Sequence, residues 1–281
     1  MEISEEILKI FLEDKTTGKN IIWATNDYEK ISAEEEIQFE QLNLIQPRYE
    51  KNLVNKKNRT REKAEIFTPS WICNEQNNLI DEGFKNKTWE EYISANFLEI
   101  TCGEAPYIVN RYDAVTGEYI PLEKRIGLLD RKFRLVSEKT STKSEWLEWS
   151  LKALKSVYGY EFQGDNLFLA RRNIFDSFIE YYVMKFNESP RTEFLKETAE
   201  IISWNFWQMD GLKGIIPYSD RQKNFTTIEL NFDSEKSFGS EKNFETENKS
   251  ENKDKLRILC KIKDWTTGEE KDFINLGSQG K

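Results

Sequence analysis

The chain contains no histidine. That absence excludes Ser-His and Cys-His nucleophilic pairs, histidine-ligated metal centres and imidazole proton shuttles. Any chemistry must rest on carboxylates, amides, backbone groups or aromatic rings. Cysteine is scarce: Cys73, Cys102 and Cys260 are few and far apart. They supply neither a disulfide framework nor a zinc ligand set, and they fit free thiols in a reducing compartment. No window approaches the roughly 18 uncharged apolar residues of a membrane helix. The opening MEISEEILKI lacks the basic-then-apolar pattern of a secretion signal. A cytoplasmic protein without a membrane partner is expected. Positive charge is also in deficit, with 41 Lys and Arg against 50 Asp and Glu, a net charge of -9. Phosphate neutralisation supplies most nonspecific affinity for nucleic acid, so a large DNA-binding surface on this chain is disfavoured. The GxGxxG fingerprint of nicotinamide dehydrogenases is missing. No strand carries the carboxylate pair and spaced Glu-x-Lys of a restriction nuclease.

Apolar material is plentiful. Hydrophobic residues make up 38% of the 281 positions and aromatics 13%, enough for the core of one α/β domain with appendages. Residues 1–64 read as a polar, mostly helical region with Ile7, Ile10, Phe11, Ile22 and Trp23 as buried positions. Its basic run, residues 51–63, is either a phosphate contact or a solvated linker. Residues 65–230 read as an α/β domain. Pro69 breaks the chain before a helix carrying Trp71, Ile72, Leu79 and Ile80.

From Asn96 onward, short apolar strands alternate with amphipathic helices, the pattern of a parallel βαβ sheet. FLEITCG (97–103) reads as a strand entering a tight glycine turn. In the helix over 144–156, Leu147, Leu151 and Leu154 recur at helical spacing. VYGYEF (157–162) is a second strand, followed by a helix over 166–186. Ser189 and Pro190 suit the cap and first residue of the next helix. ISWNFWQMD (202–210) reads as a third strand, with Trp204, Phe206 and Trp207 as sheet core rather than a base-stacking platform. Residues 231–255 repeat SEKSF and SEKNF in a polar run that predicts a mobile loop. Residues 256–281 predict a terminal hairpin, a docking edge for another protein.

Three acidic residues stand at the carboxyl ends of successive strands, where an open α/β sheet places its ligand crevice. The turn that follows Glu99 and carries Cys102 and Gly103 brings backbone amides and a carboxylate together around an amino acid zwitterion. A carboxylate at Glu161 suits both hydroxyls of a ribose. Asp210 offers an acceptor for the exocyclic amine of an adenine. A lone acid at a strand end is normally just solvated; three in order are less easily dismissed.

The segments EIFTPSWI, FLEITCGEAPY, VYGYEFQGDNLFLARRN and IISWNFWQMDGL resemble successive motifs of adenine-N6 DNA methyltransferases. The likeness is to the amino-terminal half of these enzymes, particularly the M subunits and fused methylases of bacterial or phage restriction-modification systems. The resemblance covers residues 60–212, just over half the chain. It implies a class I S-adenosylmethionine-dependent methyltransferase sheet, Rossmann-like, with the N-terminal helical region and C-terminal β-hairpin as additions. It assigns Phe67, Thr68 and Pro69 to the segment that closes over the methionine end of S-adenosyl-L-methionine. Glu99, Cys102 and Gly103 fall in the strand and turn written Asp/Glu-Pro-x-Cys-Gly-x-Gly. Glu161 becomes the ribose ligand, Phe162 the neighbour of the adenine and Asp210 the reader of its amine.

Two departures accompany the match. Where the family has a second glycine the chain reads EAPY, with Ala105 and Pro106, so the turn must be built differently. A long insertion, 110–142, separates the first strand from the helix that feeds the second. The family's catalytic tetrapeptide, Asn/Asp-Pro-Pro-aromatic, is missing. Only IIPY, ending at Tyr218, and LCKIKDW, ending at Asp264 and Trp265, offer fragments of it. The expectation is a subunit that binds the cofactor while a second protein supplies the catalytic motif and the recognition of DNA. A complete enzyme with a degenerate site and a non-catalytic sensor or scaffold subunit are the alternatives.

Overall fold

The computed structural model describes residues 3–51, 61, 68–221 and 257–276. It is a mixed α/β structure built on a three-stranded parallel sheet. Strand β1 (Phe97–Ile100) pairs with β2 (Val157–Glu161), and β2 with β3 (Phe206–Gln208), in the order β1-β2-β3. Two antiparallel strands, β4 (Lys261–Lys263) and β5 (Glu270–Asp272), form the expected hairpin, shorter than its sequence pattern. The α-helices are α1 (Glu5–Leu12), α2 (Ser70–Gly83), α3 (Trp89–Ser94), α4 (Leu128–Lys139), α5 (Lys143–Lys155), α6 (Gly164–Phe186) and α7 (Thr192–Asn205). None is long and apolar enough to cross a membrane among the described residues.

The helices follow their apolar spacing. In α5, Leu147, Leu151 and Leu154 are buried, and Thr142 caps the first turn by accepting from the Glu145 amide. Helix α6 buries Leu169, Phe175, Phe178, Ile179 and Tyr182, as expected. The insertion is no surface excursion: it contributes α4, whose Leu129, Phe133 and Val136 are fully buried in the main core. All three cysteines are free and buried.

Several expectations need correction. Among its described residues the N-terminal region is mostly not helical. After α1 the chain runs extended, with bridges Glu13↔Asn20 and Ile22↔Glu36 and two short 3-10 turns, Phe39–Leu44 and Arg48–Glu50. The Ile22 amide donates to the Gln208 side chain at 2.8 Å, so this segment lies along the end of β3. Ile7, Phe11 and Trp23 are buried, while Ile10 and Ile22 are half-buried. The 202–210 run is a helix end followed by a three-residue strand. Asn205 stops the helix by donating to Leu154 O and Val157 O, and aromatic residues on both sides of this junction mimic one continuous strand. Helix α7 is capped by Arg191, two residues beyond Ser189. On α2, Trp71 and Leu79 are 68% exposed, and Cys73 and Asn77 form the buried face instead. Residues 231–255 lie outside the described residues.

Both faces of the sheet are used. Phe97, Val157 and Phe206 join the helices in the main core, whereas Tyr160 and Trp207 face Met209, Cys260 and Ile262 of the second cluster. The hairpin thus covers the second face over β2 and β3. Phe206 and Trp207 are core, and Trp204 is half-buried beside Lys263.

Arg171 ties these layers together. Fully buried on α6, its guanidinium donates to Phe206 O (2.8 Å), Phe11 O (2.6 Å), Glu13 O (2.9 Å) and Ser203 O (3.1 Å), linking α1, α6, α7 and β3. Replacing it leaves those carbonyls without their donor. Arg171→Met should lose about 3 kcal/mol or more, and Arg171→Lys nearly as much, because an ammonium cannot reproduce the planar fork. Urea unfolding checks this; a loss under about 1 kcal/mol would contradict the assignment.

Candidate functional site

The carboxyl ends of β1 and β2 converge on one turn. Thr101, Gly103 and Ala105 alternate in the left-handed region, with φ of 53°, 55° and 65°. Ala105 adopts the conformation that glycine favours, with its methyl group fully buried. The Cys102 amide continues the sheet by donating to Tyr160 O at 2.9 Å. The next amide, Gly103 N, donates to Glu161 Oε2 at 2.9 Å, while Gln163 N donates to Glu161 Oε1 at 3.1 Å. Glu161 is 7% exposed. Cys102, Gly103 and Glu161 therefore meet as expected, with the carboxylate also holding the turn.

Glu99 lies on the same end of β1, half-buried. Among the described residues its carboxylate makes no hydrogen bond or ion pair. Burial pushes it up to about 7. Its neighbours show the same environment. Burial raises the Cys73 thiol to about 12, with the Glu99 charge as the next contribution, and Tyr107 is raised by burial with Glu99 contributing. The Thr68 hydroxyl lies beside the Tyr107 phenol, and Thr68 O accepts from Cys73 Sγ at 3.8 Å. Thr68 and Pro69 thus enter α2 next to Glu99. Phe67 lies outside the described residues.

The insertion braces that entry. Asp113 Oδ2 accepts from Ser70 N (3.0 Å) and Ser70 Oγ (2.7 Å), and Asn110 Nδ2 donates to Ser70 Oγ at 3.2 Å. Nothing in the spacing of these residues signals this role.

Beyond Glu161, Phe162 packs at right angles against Tyr218, with centroids 5.5 Å apart. Asp210 lies at the same sheet end, but its carboxylate serves its own turn, accepting from Leu212 N at 3.1 Å and approaching Lys213 Nζ at 3.6 Å. Asp264 and Trp265 lie elsewhere. Trp265 Nε1 donates to Asn205 Oδ1 at 2.7 Å, and Asn205 is bound to the start of β2, so both residues sit at the amino ends of the strands. Asp264 holds the hairpin turn through Thr266 N (2.9 Å) and Lys271 Nζ (2.7 Å). They form no part of the crevice.

Two buried acids escaped the sequence reading. Glu104 accepts from Arg48 N at 2.7 Å and Tyr112 OH at 2.6 Å. Asp165, at the start of α6, accepts from Tyr28 OH at 2.8 Å and Lys51 Nζ at 3.1 Å. Lys51 is therefore a buried ion-pair partner, neither a phosphate contact nor a solvated linker. The position of Asp165 in QGDN, at a helix start, was the available signal.

No protein-family model, curated protein or solved structure matches the chain. The site rests on its geometry.

Glu99 makes stability depend on pH. With its carboxyl near 7 when folded and 4.5 as the ordinary value, the folded state keeps a proton that the unfolded chain has released. This contribution is full below about 4.5 and lost as pH rises through about 7. Glu99→Gln should gain on the wild type as pH rises, with the larger advantage at pH 8 than at pH 5 in urea midpoints. Equal differences at both would show that Glu99 titrates normally.

Proposed function

We propose that this chain is the S-adenosylmethionine-binding subunit of an adenine-N6 DNA methyltransferase from a restriction-modification system, with a Rossmann-like class I fold. The observation that carries this reading is the half-buried carboxylate of Glu99, without a partner among the described residues, beside the turn that Glu161 holds. An unpaired carboxylate in that setting calls for a cationic or hydrogen-bonding ligand. The methionine ammonium of S-adenosylmethionine supplies the charge, and Glu161, at the end of β2, stands where this reading expects the ribose hydroxyls. Ala105 in the glycine conformation supports the correspondence of the turn with the family motif. Thr68 and Pro69 beside Glu99 support the methionine-end assignment.

The catalytic group comes from a second subunit in this reading. Asp264 and Trp265 are at the wrong end of the sheet, which counts against a complete enzyme with a degenerate site there. Among the described residues β1 is an edge strand, with Leu98 44% and Ile100 63% exposed on the face that the hairpin leaves uncovered. Parallel strands are normally buried on both faces, so this edge suits a strand carrying the missing motif in trans. The net charge of -9 gives the partner most of the DNA contact.

Glu99→Gln should weaken binding of S-adenosylmethionine by about 1.5 to 3 kcal/mol, the range for hydrogen bonds to charged groups, without loss of fold. Calorimetry measures it, and wild-type affinity in the variant would remove Glu99 from the site. Labelled methyl incorporation into DNA should be undetectable for the chain alone and appear on adding a partner that carries Asn/Asp-Pro-Pro-aromatic. Robust transfer by the chain alone would overturn the split arrangement.

A further inference from the structure

A concavity of about 430 Å³ opens between the last turn of α2, the loop that follows it, α3 and α4. The 14 residues of α2 carry the chain about 20 Å from the crevice of Glu99 to this hollow. Four cations and two acids line it, Lys85, Lys87, Arg131 and Arg134 against Asp81 and Glu138. A chain with a net charge of -9 thus gathers an excess of two positive charges in one place.

These charges are unequally spent. Asp81 accepts from Tyr92 OH at 2.7 Å and pairs with Arg131, so this acid and one cation cancel. The Arg134 guanidinium donates to the Arg125 carbonyl, and among the described residues no carboxylate lies within ion-pair distance of it. Lys85 and Lys87 reach only Glu82 (3.5 Å) and Glu91 (3.6 Å). All four of those side chains are more than half exposed, and surface pairs of this kind hold their members weakly. Glu138 is exposed and makes no ion pair among the described residues. Three cations are therefore open to an anion. Beside them the wall is aromatic, formed by Phe84 and by half-buried Trp89, which packs against Trp149 with centroids 4.5 Å apart.

We infer that this hollow is a nucleotide site, in which Lys85, Lys87 and Arg134 take the phosphate and Trp89 the base. Lysine and arginine are the phosphate-binding side chains, and an indole offers a flat surface to any base. The volume suits a small ligand rather than a bare ion. The site is separate from the proposed cofactor crevice and does not rest on that reading.

Calorimetric titration of the full chain with adenosine monophosphate and with inorganic phosphate tests it, with thermal unfolding to confirm that each variant folds. The nucleotide should bind the wild type, and more weakly as salt is raised. Lys87→Glu, at an exposed position, should weaken it by about tenfold or more. Trp89→Leu should weaken the nucleotide by about tenfold while leaving inorganic phosphate unchanged. No heat with adenosine monophosphate, or equal affinity in Lys87→Glu and wild type, would overturn the site. Binding lost in Glu99→Gln but kept in Lys87→Glu would put the nucleotide in the crevice and overturn it as well. Inorganic phosphate bound as tightly as the nucleotide would show that Trp89 takes no base and would overturn the nucleotide assignment.

Discussion

One buried carboxylate fixes the geometry on which the rest of the site depends. Glu161 spends one oxygen on the Gly103 amide and the other on the Gln163 amide, so a single side chain joins the turn after β1 to the start of α6. Its own carbonyl accepts from Met209 N at 3.0 Å, which brings in the chain leaving β3. At 7% exposure these charge-assisted bonds face little competition from water. The left-handed conformations of Thr101, Gly103 and Ala105 follow from a backbone that must turn tightly to present Gly103 N to that carboxylate.

This arrangement leaves Glu99 as the odd member. Its neighbour Glu161 is satisfied by backbone, and Asp210 by its own turn, whereas Glu99 has only burial acting on it. A protein that keeps such a group bears a stability cost above neutral pH. Functional sites are where costs of this kind are found.

Much of this was legible in the sequence because the strands are short, apolar and end in acids. β1, β2, the helices over 143–155 and 164–186 and the hairpin all follow from local periodicity. The meeting of Cys102, Gly103 and Glu161 followed from strand-end logic alone. What could not be read was set by long-range contacts. The extended path after α1 depends on the side chain of Gln208, 186 residues away from Ile22. The end of α7 depends on Asn205 reaching the carbonyls of Leu154 and Val157. Asp264 and Trp265 carry the right residue types, but only the hairpin's direction along the sheet puts them at the opposite end from Glu161. Lys51 looked like part of a basic linker until its partner, Asp165, was placed.

The central claim is that the Glu99 carboxylate receives a cationic ligand. Binding an ammonium must then ionise a carboxyl that is partly protonated near pH 7. Calorimetric titration with S-adenosylmethionine at pH 6.5, repeated in buffers of differing ionisation enthalpy, reads this directly. The account predicts net proton release by the wild type that disappears in Glu99→Gln. No binding heat, or identical proton release from the two proteins, would contradict it.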